Sequence, residues 1–310
     1  MNLSSLLISV VLAAESIISP LGDGSVLGVT NESFPRISFQ EITARVNQTV
    51  ADGVKNSGLG RLTSLIAGTG TISATIIPGQ VALVQTRITK KPTMTIAAIG
   101  DSMIDTLGPD LPHLRDALKN VYPDTTFTML NYGVGGTNID YGLERLLKDY
   151  TYEGKQFPAL VSTNPDLVIV ESFAYNPYSY DTGALTQHWL SLAFMIDTLR
   201  ANVPTAKIAI AATIAPDKNT FGDGAPGLSY NPEDKYKKTR IFHSYLENTI
   251  RFAQSQRLPL ADVYHASMDS TGNGRAIYIN PGDHIHYSDE GRRLFAAKVT
   301  ETIVENRLLE

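Results

Sequence analysis

A serine lies where a strand-like segment gives way to a helix-like one. Ser102 follows Gly100 and Asp101, which come directly after the apolar run 95–99. In such a turn, the N–H groups of the first helical residues point at the space in front of the serine hydroxyl. Ser102 is therefore a candidate nucleophile, provided that a base removes its proton. Gly-Asp-Ser alone is equally typical of a plain turn with a helix cap.

An acid and a base follow near the C-terminal end of the chain. Asp283 precedes His286 by three residues, so one loop can hold a carboxylate against an imidazole. His284 lies only one residue after Asp283, and we prefer His286 as the base. Asp101, beside the candidate nucleophile, is interpreted as a turn-stabilising residue and not as the acid of a triad.

Two other segments at the ends of strand-like runs carry groups that can stabilise a developing negative charge. Gly135 and Gly136 are adjacent, and a glycine N–H can approach a substrate oxygen closely because no Cβ intervenes. Asn176 follows the run 167–170 and can donate from its side-chain amide. A flexible turn and an Asn-Pro turn are the alternatives at these two places.

Together these segments resemble the four sequence blocks of the GDSL esterase/lipase family, also called the SGNH hydrolases. Three blocks match, as Gly100-Asp101-Ser102 (with Met103 for the usual Leu), Asn131-x-Gly133-x-x-Gly136, and Asp283-x-x-His286 followed by Gly291. The third block departs from the family pattern Gly-x-Asn-Asp, because it reads Ala174-Tyr175-Asn176-Pro177. The resemblance extends from near Lys91 to the C-terminus.

The resemblance implies two-step acyl transfer on a carboxylic ester by a catalytic triad of Ser102, His286 and Asp283. It implies an oxyanion hole made of the Ser102 N–H, the Gly136 N–H and the Asn176 side chain. No cofactor and no metal are expected. The substrate is expected to be a small-molecule or carbohydrate ester, with short-acyl or carbohydrate esters as the first choice. A lipid-directed hydrolase (lysophospholipase or thioesterase) and a catalytically silent glycan-binding or acylation-accessory domain are the alternatives.

Five short apolar runs predict the strands that position these residues. They are 93–99, 126–131, 166–171, 207–213 and 258–263, and they alternate with helical patterns at 110–121, 138–150, 184–202, 234–256 and 288–306. Nearly continuous hydrophobicity is typical of strands covered on both faces. The alternation predicts an α/β three-layer sandwich with a central, mainly parallel five-stranded sheet, SGNH/flavodoxin-like, plus a small N-terminal extension. Sites in such sheets form beyond the carboxyl ends of the strands.

The chain is predicted to contain three parts. Residues 1–25 include an apolar stretch that is too short to span a bilayer comfortably, which indicates a signal peptide or apolar anchor, with a buried or amphipathic helix as the alternative. Residues 26–90 are expected to form an accessory, β-rich region, and residues 91–310 the SGNH hydrolase domain. This pattern favours a secreted or cell-envelope location and leaves a cytoplasmic one open. Membrane association is expected only through the N-terminal apolar segment.

Composition excludes several classes of function. The net charge is −5 and no basic run exceeds Lys237-Lys238, so binding to nucleic acid has no electrostatic support. The chain has no Cys, which excludes disulfides and a thiolate nucleophile. The histidines form no HExxH pattern that would indicate a zinc site.

Aromatic residues and one long loop follow the third block. Tyr175, Tyr178, Tyr180 and Trp189 are candidates to line a pocket, or equally to pack in the core. The segment 217–234 is rich in Gly and Pro and is expected to form a lid or specificity wall over the same sheet edge.

Overall fold

The computed structural model describes residues 62–67, 70–77, 80–86, 93–178 and 183–310. The predicted apolar segment 1–25 lies outside the described residues. The chain divides into two units, residues 1–89 and 90–310. Among the described residues, no helix is both long enough and apolar enough to cross a bilayer.

In the first unit, three strands form an antiparallel sheet. They are β1 (Leu62–Ala67), β2 (Gly70–Ile77) and β3 (Gln80–Thr86), paired in that order. This sheet lies inside the region predicted to be β-rich. Its accessory role stays a prediction.

The second unit is built on the predicted parallel sheet. Its strands are β4 (Thr93–Gly100), β5 (Thr126–Gly133), β8 (Leu167–Glu171), β9 (Lys207–Ala212) and β10 (Leu260–Asp262), in the order β10-β9-β8-β4-β5. All neighbouring pairs are parallel. A small antiparallel hairpin of β6 (Tyr150–Tyr152) and β7 (Lys155–Phe157) lies between β5 and β8 in the chain; the sequence patterns did not predict it.

Helices alternate with the strands, as expected. They are α1 (Ser102–Asp105), α2 (Pro112–Val121), α3 (Ile139–Leu147), α4 (Ala184–Asn202), α5 (Pro232–Ser255), α6 (Val263–Ala266) and α7 (Asp289–Glu305). Two 3₁₀ turns lie at Leu160–Thr163 and Ala276–Tyr278. Asn138, Asn231 and Ser288 cap α3, α5 and α7 through their side chains, which explains why these helices begin where they do.

The sheet is buried on both faces, because alternate residues of each strand enter different cores. Ile96 and Ala98 of β4 pack in one core with α2 and α7, whereas Ala97 and Ile99 pack in the other with α3 and α4. All five residues of β8 are buried, so this strand has no face exposed to solvent. The fold is therefore the predicted α/β sandwich, and it leaves the carboxyl ends of the strands as the edge on which polar residues can gather.

Candidate active site

The candidate nucleophile lies at the start of α1, directly beyond β4. Asp101 is the N-cap, and its Oδ1 accepts a hydrogen bond from the Met103 N–H at 2.8 Å. Gly100 allows the turn to close, since a Cβ there would lie 2.4 Å from Ile104 Cγ1 and 2.8 Å from Glu171 Cβ. Asp101 therefore stabilises the turn, as the sequence interpretation had it.

Asn131 and Gly133 of the second block hold α1 on the end of β5. Asn131 Nδ2 donates to the carbonyl oxygens of Ile104 and Gly108 at 2.9 and 2.8 Å. A Cβ on Gly133 would lie 2.0 Å from the backbone nitrogen of Asp105. The two residues thus fix the helix that carries Ser102, and their role is structural.

Gly135 and Gly136 differ in what surrounds them. The Gly135 N–H donates to Tyr152 Oη at 3.1 Å, and that hydroxyl donates to Asp105 Oδ2 at 2.8 Å. Gly136 is exposed and has φ of +70°, in the left-handed region that favours glycine. Because the N–H of Gly135 is already bonded to Tyr152, Gly136 is the better candidate of the two for an oxyanion donor. Tyr152, on the unpredicted hairpin, was missed by sequence reasoning.

Asn176 lies beside the nucleophile turn although its block departs from the family pattern. Its Nδ2 donates to Asp101 Oδ2 at 3.0 Å. An amide nitrogen has two N–H groups, so the bond to Asp101 leaves one for another acceptor. The Asp101 carboxylate therefore accepts hydrogen bonds both from the first turn of α1 and from the side-chain amide of Asn176.

Asp283 and His286 form the predicted pair. His286 Nδ1 lies 2.8 Å from Asp283 Oδ2, while Oδ1 accepts from the backbone N–H groups of Ile285 and His286 at 2.9 and 3.1 Å. Burial by itself would raise the pKa of Asp283, but the hydrogen bonds from the ring and backbone of His286 and from Ile285 outweigh it, and the pKa lies below its usual value. With Nδ1 held by the carboxylate, Nε2 is the ring nitrogen left for proton transfer.

The loop that bears this pair is shaped by Gly291 and Asn280. A Cβ on Gly291 would lie 2.1 Å from the Tyr278 carbonyl oxygen, so the glycine of the last block is required for packing. Asn280 Nδ2 donates to Asp283 Oδ2 at 3.1 Å. Both contacts hold the aspartate where it meets His286.

One cavity of about 1030 Å³ joins the predicted residues. Ser102, Gly136, Asn176 and His286 all line it. Asp283 is not part of the lining but contacts the ring of His286. The structure therefore brings three strand ends and the C-terminal loop to one place.

Aromatic rings form part of the cavity lining. Tyr175, Tyr178, Phe221, Tyr230 and Phe242 contribute, and the ring centroids of Tyr175 and Phe242 are 5.1 Å apart. Of the four predicted aromatic residues, Tyr175 and Tyr178 line the cavity and Tyr180 lies outside the described residues. Trp189 packs edge-on against Phe252 in the core, with ring centroids 5.2 Å apart.

The segment between β9 and α5 supplies Phe221, Leu228 and Tyr230 to the lining, which is the place predicted for the 217–234 loop. It is joined to the loop of the base. His284, the residue we rejected as base, has φ of +53°, and its Nδ1 lies 2.7 Å from the Asp223 carbonyl oxygen. Asp223 Oδ1 in turn lies 2.5 Å from Lys235 Nζ at the start of α5.

In the described part of the chain, no group of three or more His, Asp or Glu side chains is placed to hold a metal ion. The hydroxyl, imidazole and amide groups that line the cavity are those of nucleophilic acyl transfer.

Comparison with known families decides the class. The model of the GDSL-like Lipase/Acylhydrolase family matches residues 96–299, which is more than half of the chain. The chain belongs to this family. It is therefore an ester hydrolase of the GDSL type, and the matched range contains every candidate site residue.

Solved structures that are similar to this chain have low sequence identity to it. A GDSL-like lipase from Bacteroides thetaiotaomicron is 16% identical, with 69% of this chain and 89% of that chain covered and a TM-score of 0.48. A lipase/acylhydrolase from Enterococcus faecalis is 18% identical over 69% and 96%, with a TM-score of 0.48. An acetylxylan esterase from Geobacillus stearothermophilus is 14% identical over 68% and 94%, also with a TM-score of 0.48. A search of curated protein sequences finds no match.

Proposed function

We propose that this GDSL hydrolase is a serine esterase that cleaves carboxylic esters through an acyl-enzyme formed on Ser102. One observation carries the proposal. Ser102, Gly136, Asn176 and His286 line the same cavity, and the ring of His286 is bonded to Asp283. A nucleophile, an oriented base and two candidate oxyanion donors are the parts that ester hydrolysis requires.

In the first half-reaction, Ser102 Oγ attacks the ester carbonyl carbon while His286 Nε2 takes the hydroxyl proton. The carbonyl π electrons move to the oxygen, which accepts hydrogen bonds from the Ser102 N–H, the Gly136 N–H and Asn176 Nδ2. Asp283 stabilises the imidazolium. The tetrahedral intermediate then collapses, the alkoxide takes the proton from His286, and the alcohol leaves.

In the second half-reaction, water attacks the acyl-enzyme carbonyl carbon and gives a proton to His286. The same donors stabilise the second oxyanion. Collapse breaks the bond to Ser102 Oγ, which recovers its proton from His286, and the carboxylic acid is released.

For the substrate we infer a short-acyl or carbohydrate ester. The aromatic part of the lining can pack against the apolar face of a sugar ring, and Thr106, Thr137 and Asn138, which also line the cavity, offer partners for hydroxyl groups. A lipid-directed hydrolase is the second candidate, since Leu228 and Ile285 add apolar surface to the same lining.

The test combines covalent labelling with an ester panel. A fluorophosphonate is expected to label the wild-type protein and not Ser102→Ala. Circular dichroism is expected to show that the two proteins are folded alike. Ser102→Ala is expected to lose several orders of magnitude in kcat/KM on p-nitrophenyl acetate. Activity of Ser102→Ala within about tenfold of wild type would contradict the triad, because removal of the nucleophile costs far more than that.

The panel compares p-nitrophenyl esters of increasing chain length with acetylated sugars. Preference for acetate and for acetylated sugars supports the proposed substrate class. A kcat/KM that rises with acyl-chain length favours a lipid-directed hydrolase. An unlabelled, inactive wild-type protein would favour the catalytically silent domain.

A further inference from the structure

Two carboxyl groups are buried under the nucleophile turn, and the proposed mechanism uses neither as an acid or a base. Asp101 follows β4, Glu171 ends the neighbouring strand β8, and both side chains are 0% exposed. The Asp101 N–H donates to Glu171 Oε2 at 3.4 Å. This contact brings the Glu171 carboxyl group to the backbone of the residue that bears the other one, and two buried carboxyl groups on neighbouring residues do not both ionise without strong compensation.

Among the described residues near the pair, Arg145 is the cation that is itself fully buried. Arg145 is 1% exposed, and its Nη2 donates to the Gly100 carbonyl oxygen at 2.9 Å. Its Nε and Nη1 have no hydrogen-bond partner among the described residues. One guanidinium balances one carboxylate, so the second carboxyl group is expected to keep its proton.

The partners of the four carboxyl oxygens show where that proton fits. Asp101 Oδ1 and Oδ2 face the Met103 N–H and the Asn176 amide, and an N–H group can only donate. Glu171 Oε2 likewise accepts from the Phe173 N–H at 2.9 Å. Glu171 Oε1 is bonded to Ser172 Oγ, and a hydroxyl can accept as well as donate.

The electrostatics agree with this placement. Burial raises the pKa of Glu171 well above its usual value, and the negative charge of Asp101 raises it further. Burial also raises the pKa of Asp101, but its hydrogen bonds from Met103 and Asn176 and the charges of His286 and Arg145 oppose that rise. The proton therefore belongs on Glu171.

We propose that Glu171 is a protonated acid in the resting enzyme and that the Asp101 carboxylate it thereby leaves charged is a positioning residue for the oxyanion hole. Asp101 accepts one N–H of Asn176 and so fixes the direction of the other toward the substrate oxygen. Asp101 acts through Asn176 and does not touch the substrate. The proposal rests on the proposed function for its kinetic readout and reaches beyond it, because it assigns a proton and a role to residues outside the triad.

Two isosteric substitutions are expected to differ strongly in their effect on kcat. Glu171→Gln keeps an acceptor for the Phe173 N–H and replaces the acid O–H by an N–H toward Ser172, so kcat is expected to stay within about threefold of wild type. Asp101→Asn keeps an acceptor for the helix cap but turns an N–H against the Asn176 amide. We expect kcat to fall by roughly 10²–10³, with KM nearly unchanged.

A double-mutant cycle separates positioning from general damage. In the Asn176→Ala background, Asp101→Asn is expected to cost less than about tenfold, since the group it positions is already gone. Additive losses would overturn the positioning role. Glu171→Gln losing as much as Asp101→Asn, or Asp101→Asn retaining full activity, would overturn the placement of the proton.

Infrared spectroscopy tests the proton without using activity. The wild-type protein at pH 7 is expected to show a protonated carboxylic acid band that Ser102→Ala keeps and Glu171→Gln lacks. No such band in wild type, or an undiminished band in Glu171→Gln, would overturn the proposal even if Asp101→Asn failed to fold. A wild-type protein that shows the band but cleaves no ester would instead refute the proposed function alone.

Discussion

Two histidines two residues apart illustrate how geometry assigns roles at the scale of the residue. His286 contacts the Asp283 carboxylate and lines the cavity, whereas the ring of His284 is bonded to the Asp223 carbonyl oxygen. His286→Ala is expected to lose several orders of magnitude in kcat, because it removes the imidazole that Asp283 orients. His284→Ala is expected to keep most of kcat, and steady-state kinetics on p-nitrophenyl acetate measure both.

The reverse order of effects would move the role of base to His284 and leave the reaction class intact. Melting temperatures of both variants provide the control. A loss of activity in His284→Ala that parallels a loss of folded protein says nothing about proton transfer.

Asn176 belongs to the third sequence block, which departs from the family pattern, and its substitution tests whether that block still supplies an oxyanion donor. The side-chain amide is expected to bind the oxygen more tightly in the transition state than in the ground state, so Asn176→Ala is expected to lower kcat far more than it raises KM. The expected loss is about 2.7–4 kcal/mol of transition-state stabilisation. Kinetics and thermal melting on the same sample check it. A destabilised variant with normal kcat per folded molecule would show that Asn176 only shapes the turn before Pro177.

The sequence predicted these residues because their spacing is local. Asp283 and His286 share one loop, and Gly-Asp-Ser follows a strand, so local sequence patterns are sufficient to predict their positions. Tyr152 and Glu171 were missed because their partners, Asp105 and Asp101, lie 47 and 70 positions away. Only the register of the strands and the path of a hairpin bring such pairs together.

At the scale of elements, helix α4 is joined to the end of β8 by a buried histidine. His188 Nε2 lies 2.8 Å from the Ser172 carbonyl oxygen, so Nε2 carries the proton and donates it. Nδ1 then accepts from Asn248 Nδ2 of α5 at 3.1 Å. Both ring nitrogens of this neutral imidazole are satisfied, which allows a polar side chain to be almost wholly buried.

This histidine predicts how stability depends on pH. Burial lowers the pKa of His188 to about 4, whereas an unfolded histidine titrates near 6.5. Between these values the unfolded chain binds a proton that the folded chain does not, so stability falls as the pH is lowered. The free energy of unfolding is expected to fall by about 2 kcal/mol between pH 7 and pH 5 because of His188.

Urea denaturation at the two pH values measures this loss in wild type and in His188→Gln. The variant is expected to be less stable at pH 7 but to lose about 2 kcal/mol less than wild type on acidification. Equal losses in the two proteins would mean that His188 is not the titrating group.

Most element boundaries agree with the sequence patterns, and the differences have local causes. Helix α5 begins at Pro232, two residues before its predicted start, because Asn231 caps it and proline is suited to the first turn. Strand β10 is shorter than predicted and, among the described strands, pairs with β9 alone. The hairpin of β6 and β7 has three residues in each strand, too few for a period to be recognised.

At the scale of the whole molecule, the candidate site residues all lie in the second unit, residues 90–310. The second unit contains the two hydrophobic cores described above, and the family match lies within the same unit. A chain of residues 90–310 is therefore expected to fold cooperatively and to keep the kcat/KM of the full chain. Urea denaturation and kinetics on p-nitrophenyl acetate compare the two.

A folded but inactive fragment would show that residues 1–89 contribute to catalysis, and an insoluble one that they contribute to stability. Either result would replace the predicted accessory role with a specific one. A control with Ser102→Ala in the fragment shows that any activity arises from the same serine.

The contact between His284 and Asp223 limits how this enzyme can be engineered. Protein engineers change the selectivity of an esterase by grafting a loop from a relative, on the assumption that scaffold and loop are separate modules. Here the loop that supplies Phe221 and Tyr230 to the lining also supplies the carbonyl oxygen that His284 contacts, one residue from Asp283. A grafted loop therefore has to follow the same backbone path at Asp223 and keep its anchor on Lys235 in order to fit against the loop that bears Asp283.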